Sequence, residues 1–593
     1  MNGYLKRLTA LREIMRDQKI DAYIIPAADP HISEYLPAHY QCIAYVSGFT
    51  GSAGTLVVTQ AFAGLWTDSR YFVQAKEQLK ESGFELVKLK VQKAPEYIGW
   101  LSETLDQGST VAFDGKLIAV TTAKEIINFL QPRKMIINAR VDLLKQIWSD
   151  RPSLPRAEAY LIPPSITGEN TKSKLDRVRQ YIVRHDATAH LISSLDDIAW
   201  LYNIRGADVK CNPVVLSFSY ITVEKAYLFI DKNKLHLEAI ESLETDGVEL
   251  KPYEDIFDFI RLLNSDETIF VDPVKTCYTL YTMIPQYDRI IKGTNPTTQF
   301  KAIKNEVETA HTRQTMVKDG VALTKFFMWF EEQLNGGLLD ELSIVDQLFD
   351  FRSQQESFVN DSFDTIAAYG PHAALPHYKP TADSNSNIGT SGLFLLDSGG
   401  QYKTGTTDIT RVVPCGPTNA EETKDYTLVL KSLIEGSTIL FPESSRGYQI
   451  DAITRKALWD HLYNYGHGTG HGVGFFLNVH EGPQVFNPSN NDTIIEENMI
   501  TSIEPGLYRE GRHGIRIENL VLSKDAGTSE FGNFMGFETL SLCYIDTSLI
   551  EKELLEQKHL SWLNEYHQQV YDALSPYLNE KERQWLKEKT KNI

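Results

Sequence analysis

Five side chains in the last third of the chain have the types and spacing of one metal site: Asp397, Asp408, His471, Glu504 and Glu518. Each sits in a short, glycine-punctuated string: LLDSG, GTTDITR, GHGTGHGVG, SIEPGLY and GIRIENL. Four carboxylates and one imidazole are hard donors, suited to a pair of divalent ions. A closed structural zinc site would instead favour thiolates. Two ions held close together can activate one water between them, which is hydrolase chemistry.

These donors need elements that bring them together. Asp397 ends the run LFLLD, Asp408 opens DITRVV, and Gly399, Gly400 and Gly405 lie between them. Two antiparallel strands joined this way place both carboxylates on one side of a hairpin. His467, His471 and His480 fall within fourteen residues. HGTGH has the spacing of the helical zincin motif, but it lacks that motif's Glu, and its glycines disfavour a helix by about 1 kcal/mol each. The expectation is a loop. Glu504 precedes Pro505-Gly506 at a strand end, and strand alternation places Arg516 and Glu518 on one face. Arg516 then supplies the charge a buried carboxylate cluster needs. His461 and His513 have no such company and read as structural or exposed.

With 593 residues the chain is too long for one core. Proline-rich DRPSLPRAEAYLIPPS (150–165) and KGTNPTTQ (292–299) read as linkers. They divide the chain into 1–152, 153–300 and 301–593, with a charged helical tail from about 549. The first two parts repeat one α/β layout of helices alternating with short β-rich runs. In the tail, Trp562, Leu563, Tyr571 and Leu574 form a packing stripe.

Acidic residues outnumber basic ones 78 to 59, a net charge of −19, which argues against nucleic acid or an anionic membrane as partner. The five scattered cysteines form no CxxC pair and fit a reducing compartment. Leu5, Leu8, Leu11 and Met15 mark an amphipathic first helix rather than a signal peptide. No run approaches the length of a membrane span. The expected location is cytoplasmic.

The ordered ligand set resembles that of the pita-bread metallopeptidases, the family of methionine aminopeptidase, prolidase and aminopeptidase P. GPHAALPHY, GTTDITR, HGTGHGVG, LNVHEGP and GIRIENL are similar to cytosolic aminopeptidase P. SEY, GFTGSAGT, LWTDSRYF, DDIAWLYNIRG and NPVV resemble its two non-catalytic domains, so the likeness spans the chain. It implies an α/β (α+β) fold class, with two creatinase-like N-terminal domains followed by a pita-bread catalytic domain. It also implies removal of the residue before proline by a hydroxide bridging two divalent ions, most commonly Mn²⁺, and a homodimer. By the same resemblance Asp397 ligates one ion, His471 and Glu504 the other, and Asp408 and Glu518 bridge. His377 and His480 match the catalytic histidines, Glu504 is the proton carrier, and His467 contacts substrate. Arg70, in WTDSRYF, is expected to restrict substrate length. The alternatives are a dipeptide-specific prolidase, a creatinase-like amidinohydrolase, and a binding protein on the same fold. Total length disfavours the first, and the complete ligand set disfavours the other two.

Overall fold

The computed structural model describes residues 3–91, 94–263, 266–285, 287–334, 336 and 339–593. Two compact units result, Met1–Pro163 with Glu169–Thr298, and Pro164–Gly168 with Gln299–Ile593.

The first unit is built on two six-stranded sheets of one design. The strands of one are Ala22–Pro26, Thr55–Thr59, Ala63–Thr67, Glu85–Lys88, Thr110–Phe113 and Ile136–Asn138. Those of the other are Ala189–Ile192, Ser217–Thr222, Ala226–Ile230, Val248–Lys251, Ile269–Val271 and Ile290–Lys292. Numbered along the chain within each sheet, both run 4-3-2-1-5-6. In both, the first three strands are antiparallel neighbours and the outer pairings are parallel. Both faces of the first sheet are covered. Ala22, Ile24, Val57, Val111 and Phe113 enter one core cluster, whereas Tyr23, Ile25, Leu56, Val58 and Ala112 enter the other. Such strands read as continuous apolar runs, as DAYIIP does. The first helix, Gly3–Asp17, buries Leu8, Leu11 and Met15 at the expected spacing.

Both linkers are shorter than their composition implies. Tyr160–Leu161 pairs with Ile204–Arg205, and Pro164–Thr167 makes one helical turn. Proline is tolerated in a first turn, where its missing N–H has no intrahelical partner. For the same reason Pro296 opens the helix Pro296–Ala302, leaving only 293–295 irregular in the second linker.

The second unit uses one pattern twice. Helices Glu306–Leu334 and Glu341–Ser353 precede the antiparallel strands of 358–414, and helices Ala420–Ser437 and Gly447–Trp459 precede those of 470–539. Asp340 and Asn419 close capping boxes at two of these helices. The tail forms helices Gln557–Leu574 and Glu580–Lys589. Leu563 and Leu574 enter the core, with Trp562 and Tyr571 packed at its edge. All five cysteines are buried thiols. No helix among the described residues is long and apolar enough to cross a membrane.

Candidate metal centre

Asp397 and Asp408 are placed by a hairpin. Strand Leu393–Ser398 pairs antiparallel with Ile409–Pro414, Asp397 lies opposite Thr410, and Asp408 immediately precedes the second strand. The glycines between them form a smaller hairpin, Gly400–Tyr402 with Gly405–Thr406. His467 lies in a loop, as its glycines require. His471 instead sits on the three-residue strand Gly470–Gly472, between Glu481–Phe486 and Ile500–Ile503. A Cβ on Gly470 would lie 1.7 Å from the Ser502 carbonyl oxygen, so these glycines serve close strand approach. Glu504 follows Ile500–Ile503, and its N–H donates to the Thr469 carbonyl at 2.7 Å. Glu518 departs from the expected strand position. Strand His513–Arg516 ends before it, and its N–H donates to the Thr410 carbonyl at 3.1 Å.

These segments bring the carboxylates and the imidazole together. One ligand atom from each of Asp408, His471 and Glu518 lies within 4.8 Å of the others. His471 Nε2 is 3.4 Å from Asp408 Oδ2 and 3.5 Å from Glu504 Oε1. Its Nδ1–H donates to the Gly472 carbonyl at 3.0 Å, which fixes the tautomer and leaves Nε2 facing the carboxylates. Asp397 completes the group through Arg516, which donates to its Oδ2 from both Nε and Nη2. The charge partner expected from sequence is therefore present.

Burial dominates the electrostatics. It pushes Glu504 up to about 7, opposed by His471 and Arg516. It drives Glu518 well above the usual carboxylate range, reinforced by the charge of Asp408. Asp397 is raised by burial and checked by Arg516. For His471, burial acts downward, but the hydrogen bond to Asp408 and the charge of Glu504 outweigh it and raise the imidazole to about 9. The cluster needs positive charge.

The donor set fits divalent cations at a specific place. Glu518 Oε2 accepts from the Thr410 hydroxyl at 2.8 Å, whereas its Oε1 is buried without a partner. Asp397 Oδ2 is held by Arg516, whereas its Oδ1 is likewise buried and unpartnered. Each carboxylate thus has one oxygen tied to protein and one buried and unpartnered, the arrangement an orienting outer shell gives a metal ligand.

Of the other sequence candidates, His480, His377 and His467 adjoin residues of this group. His480 is half-buried, its ring 4.3 Å from that of His471 and edge-on to it. His377 follows Pro376, whose carbonyl accepts from Arg516 Nη2 at 3.2 Å. His467 Nε2 is 2.8 Å from the Tyr508 hydroxyl, which accepts from Arg516 Nη1 at 2.7 Å. Arg70 belongs to the first unit, where it is half-buried and doubly bonded to Asp68 at 2.7 and 2.8 Å. His513 is buried against Asp425, 2.9 Å away, and His461 is exposed. Tyr508 and Thr410 were not singled out from sequence. Both lie inside the quoted strings SIEPGLY and GTTDITR, Tyr508 four residues after Glu504 and Thr410 two after Asp408.

Comparison with known proteins agrees along the whole chain. The Creatinase/Prolidase N-terminal domain family matches residues 7–140, and a second family of that description matches 150–308. Metallopeptidase family M24 matches 310–525, and the C-terminal region of peptidase M24 matches 533–593. A probable Xaa-Pro aminopeptidase P of Coccidioides posadasii is 37% identical over 99% of this chain and 99% of its own. Human Xaa-Pro aminopeptidase 2 is 37% identical over 99% of this chain and 88% of its own. The crystal structure of X-prolyl aminopeptidase from Caenorhabditis elegans, described as a cytosolic enzyme with a di-nuclear active site, superposes with a TM-score of 0.95. It is 33% identical and covers 100% of both chains. The architecture is accordingly two creatinase-type N-terminal domains followed by a pita-bread catalytic domain. With such identity to relatives matched along nearly their whole length, the chain belongs to metallopeptidase family M24, among its Xaa-Pro aminopeptidases P.

Proposed function

We propose that the protein is a metal-dependent aminopeptidase that releases the N-terminal residue from peptides with proline in second position. The observation that carries this is the gathering of Asp397, Asp408, His471, Glu504 and Glu518, with a buried oxygen of Asp397 and one of Glu518 left without a protein partner. In this reading the five residues would hold two divalent ions, Asp397 contributing to one, His471 and Glu504 to the other, and Asp408 and Glu518 to both. Ions held there supply Lewis acidity and an activated water near neutral pH. Mn²⁺ is the proposed metal.

The chain's own groups do the rest. Arg516 holds and aims Asp397 and opposes the effect of its burial. His480, beside His471, and His377, next to the Arg516-bound Pro376, polarise the scissile carbonyl and stabilise the charge that develops on it. Glu504, whose Oε1 lies 3.5 Å from His471 Nε2, carries a proton to the proline nitrogen as the bond breaks. His467, held by Tyr508, walls the proline subsite. Arg70, fixed by Asp68, is proposed as the residue of the first domain that limits substrate length. Proline lacks an N–H and has a fixed φ, so a site shaped for its ring gains from rigidity where general proteases lose a contact.

We place the enzyme in the cytoplasm as a homodimer. The free buried thiols and the cytosolic description of the worm structure support the location. The test is hydrolysis of Arg-Pro-Pro and Ala-Pro by metal-stripped protein resupplied with Mn²⁺, with Asp408→Ala as control. Free arginine from the tripeptide, little action on the dipeptide and an inactive variant are expected. Preference for Ala-Pro would replace this reading with a prolidase, and no turnover with any divalent ion would end it.

A further inference from the structure

Helix Gln557–Leu574 contributes none of the proposed ligands, yet a buried arginine ties it to one of them. Arg411 lies in strand Ile409–Pro414, three residues beyond Asp408, and is 3% exposed. Its Nε donates to the Tyr544 carbonyl at 2.9 Å, and Nη1 donates to the carbonyls of Thr410 and Glu518 at 2.9 and 2.6 Å. Nη2 donates to Asn519 Oδ1 at 2.8 Å, the Cys543 carbonyl at 2.9 Å and the Tyr566 hydroxyl at 2.7 Å. All six acceptors are neutral. A buried cation held this way is tolerable only while its N–H groups stay satisfied, so the acceptors are constrained as a set.

Tyr566 belongs to helix Gln557–Leu574. Its hydroxyl also lies 3.0 Å from the Ser541 carbonyl and 2.9 Å from that of Cys543. One residue on, His567 Nε2 accepts the Ile545 N–H at 3.1 Å. The helix therefore fixes segment 541–545, which supplies two of the Arg411 acceptors. At the other end Glu518 is gripped three ways. Arg411 takes its carbonyl, the Thr410 carbonyl takes its N–H, and the Thr410 hydroxyl takes Oε2. Oε1 is left buried without a protein partner.

We propose that helix Gln557–Leu574 sets the cation affinity of the site, with Tyr566 and Arg411 as positioning residues that orient Glu518. This rests on the two-cation reading above. The test is titration of Mn²⁺ into full-length, metal-stripped protein, following the free ion by electron paramagnetic resonance, with the Co²⁺ absorption spectrum as a readout of ligand geometry. Tyr566→Phe keeps the ring and its stack on Trp562, 5.1 Å away, and removes only the hydroxyl. Mn²⁺ binding about tenfold weaker and an altered Co²⁺ spectrum are expected, the lower end for groups that orient a ligand. Arg411→Lys is expected to weaken it about a hundredfold. Leu563→Ala, fully buried on the same helix, removes packing without touching Arg411. It should lower thermal stability and leave Mn²⁺ affinity at the wild-type value. Wild-type affinity in both Tyr566→Phe and Arg411→Lys would overturn the proposal, as would an equal loss in Leu563→Ala. A wild-type chain that binds neither Mn²⁺ nor Co²⁺ would instead overturn the metal reading itself, and this one with it.

Discussion

Substitution of Glu481 should be among the most damaging single changes outside the ligands. Glu481 follows His480 directly and lies opposite Gly472 on the strand that carries His471. Lys304 Nζ sits 2.7 Å from its Oε1 and Lys301 Nζ 3.2 Å from its Oε2, with all three side chains at most 1% exposed. Lys304 also donates to the Lys301 carbonyl at 2.8 Å, which locks the clasp to the backbone. At an effective dielectric of about 20 the two attractions are on the order of 6 and 5 kcal/mol before desolvation. Desolvation offsets most of this while the set is intact. Glu481→Gln removes the anion and leaves two buried ammonium groups facing an amide, which costs about 3–5 kcal/mol. For a unit of this size that is roughly 5–10 °C in the melting temperature. The deficit should shrink as pH rises above neutrality. The folded variant gains by shedding a proton that the unfolded chain keeps, so stability increases with pH. Replacing Glu481, Lys301 and Lys304 together by Met should recover much of the stability, because no unpaired charge remains. The assay is thermal and urea unfolding across pH 7–10, read by near-ultraviolet dichroism and proteolysis. Melting of Glu481→Gln within about 1 °C of wild type would refute the reasoning.

Three further outcomes follow. Thr410→Val removes the hydroxyl that orients Glu518, and calorimetric titration should show Mn²⁺ affinity reduced roughly 10- to 100-fold with the fold intact. Glu341→Gln disturbs a buried carboxylate that accepts from Tyr369 N–H, Ser386 N–H, Tyr378 hydroxyl and His372, on either side of His377. Steady-state kinetics on Arg-Pro-Pro should show kcat down roughly 10- to 100-fold with KM little changed; an unchanged kcat would remove Glu341 from the positioning of His377. His190 is buried, donates from Nδ1 to the Phe270 carbonyl, and is lowered by burial to about 4. Above about pH 6.5 both states are neutral there, but between 6.5 and 4 the unfolded chain takes a proton that the native state refuses. Stability then falls by about 1.4 kcal/mol per pH unit from this residue. His190→Gln should flatten that slope in urea unfolding from pH 6.5 to 4.5; an unaltered slope would show that His190 is not the group responsible.

The residues proposed as metal ligands were legible as a group because each is confined to a short string whose glycines fix a turn or a close strand approach. Asp397 and Asp408 needed only the hairpin rule, and Arg516 only the need for countercharge. What stayed hidden is pairing between distant segments. Arg411 and Tyr566 are 155 residues apart, and Lys304 and Glu481 are 177 apart. Local pattern carries no register between such positions, so Lys304 reads as a surface lysine until its burial is seen. His471 illustrates the reverse limit. Its glycine neighbours point to a loop, but the pairing of Gly470–Gly472 with strands on both sides makes a strand of it. Proline composition likewise lengthened both linkers on paper, because Pro164 and Pro296 open helices rather than break them.

The most direct test is a titration of Mn²⁺ into metal-stripped protein while arginine release from Arg-Pro-Pro is followed. Activity should climb with loading and level off at two ions per chain, with Asp408→Ala and Glu518→Ala inactive at any loading. Full turnover in the metal-free protein, or a plateau at a single ion, would contradict the two-cation centre.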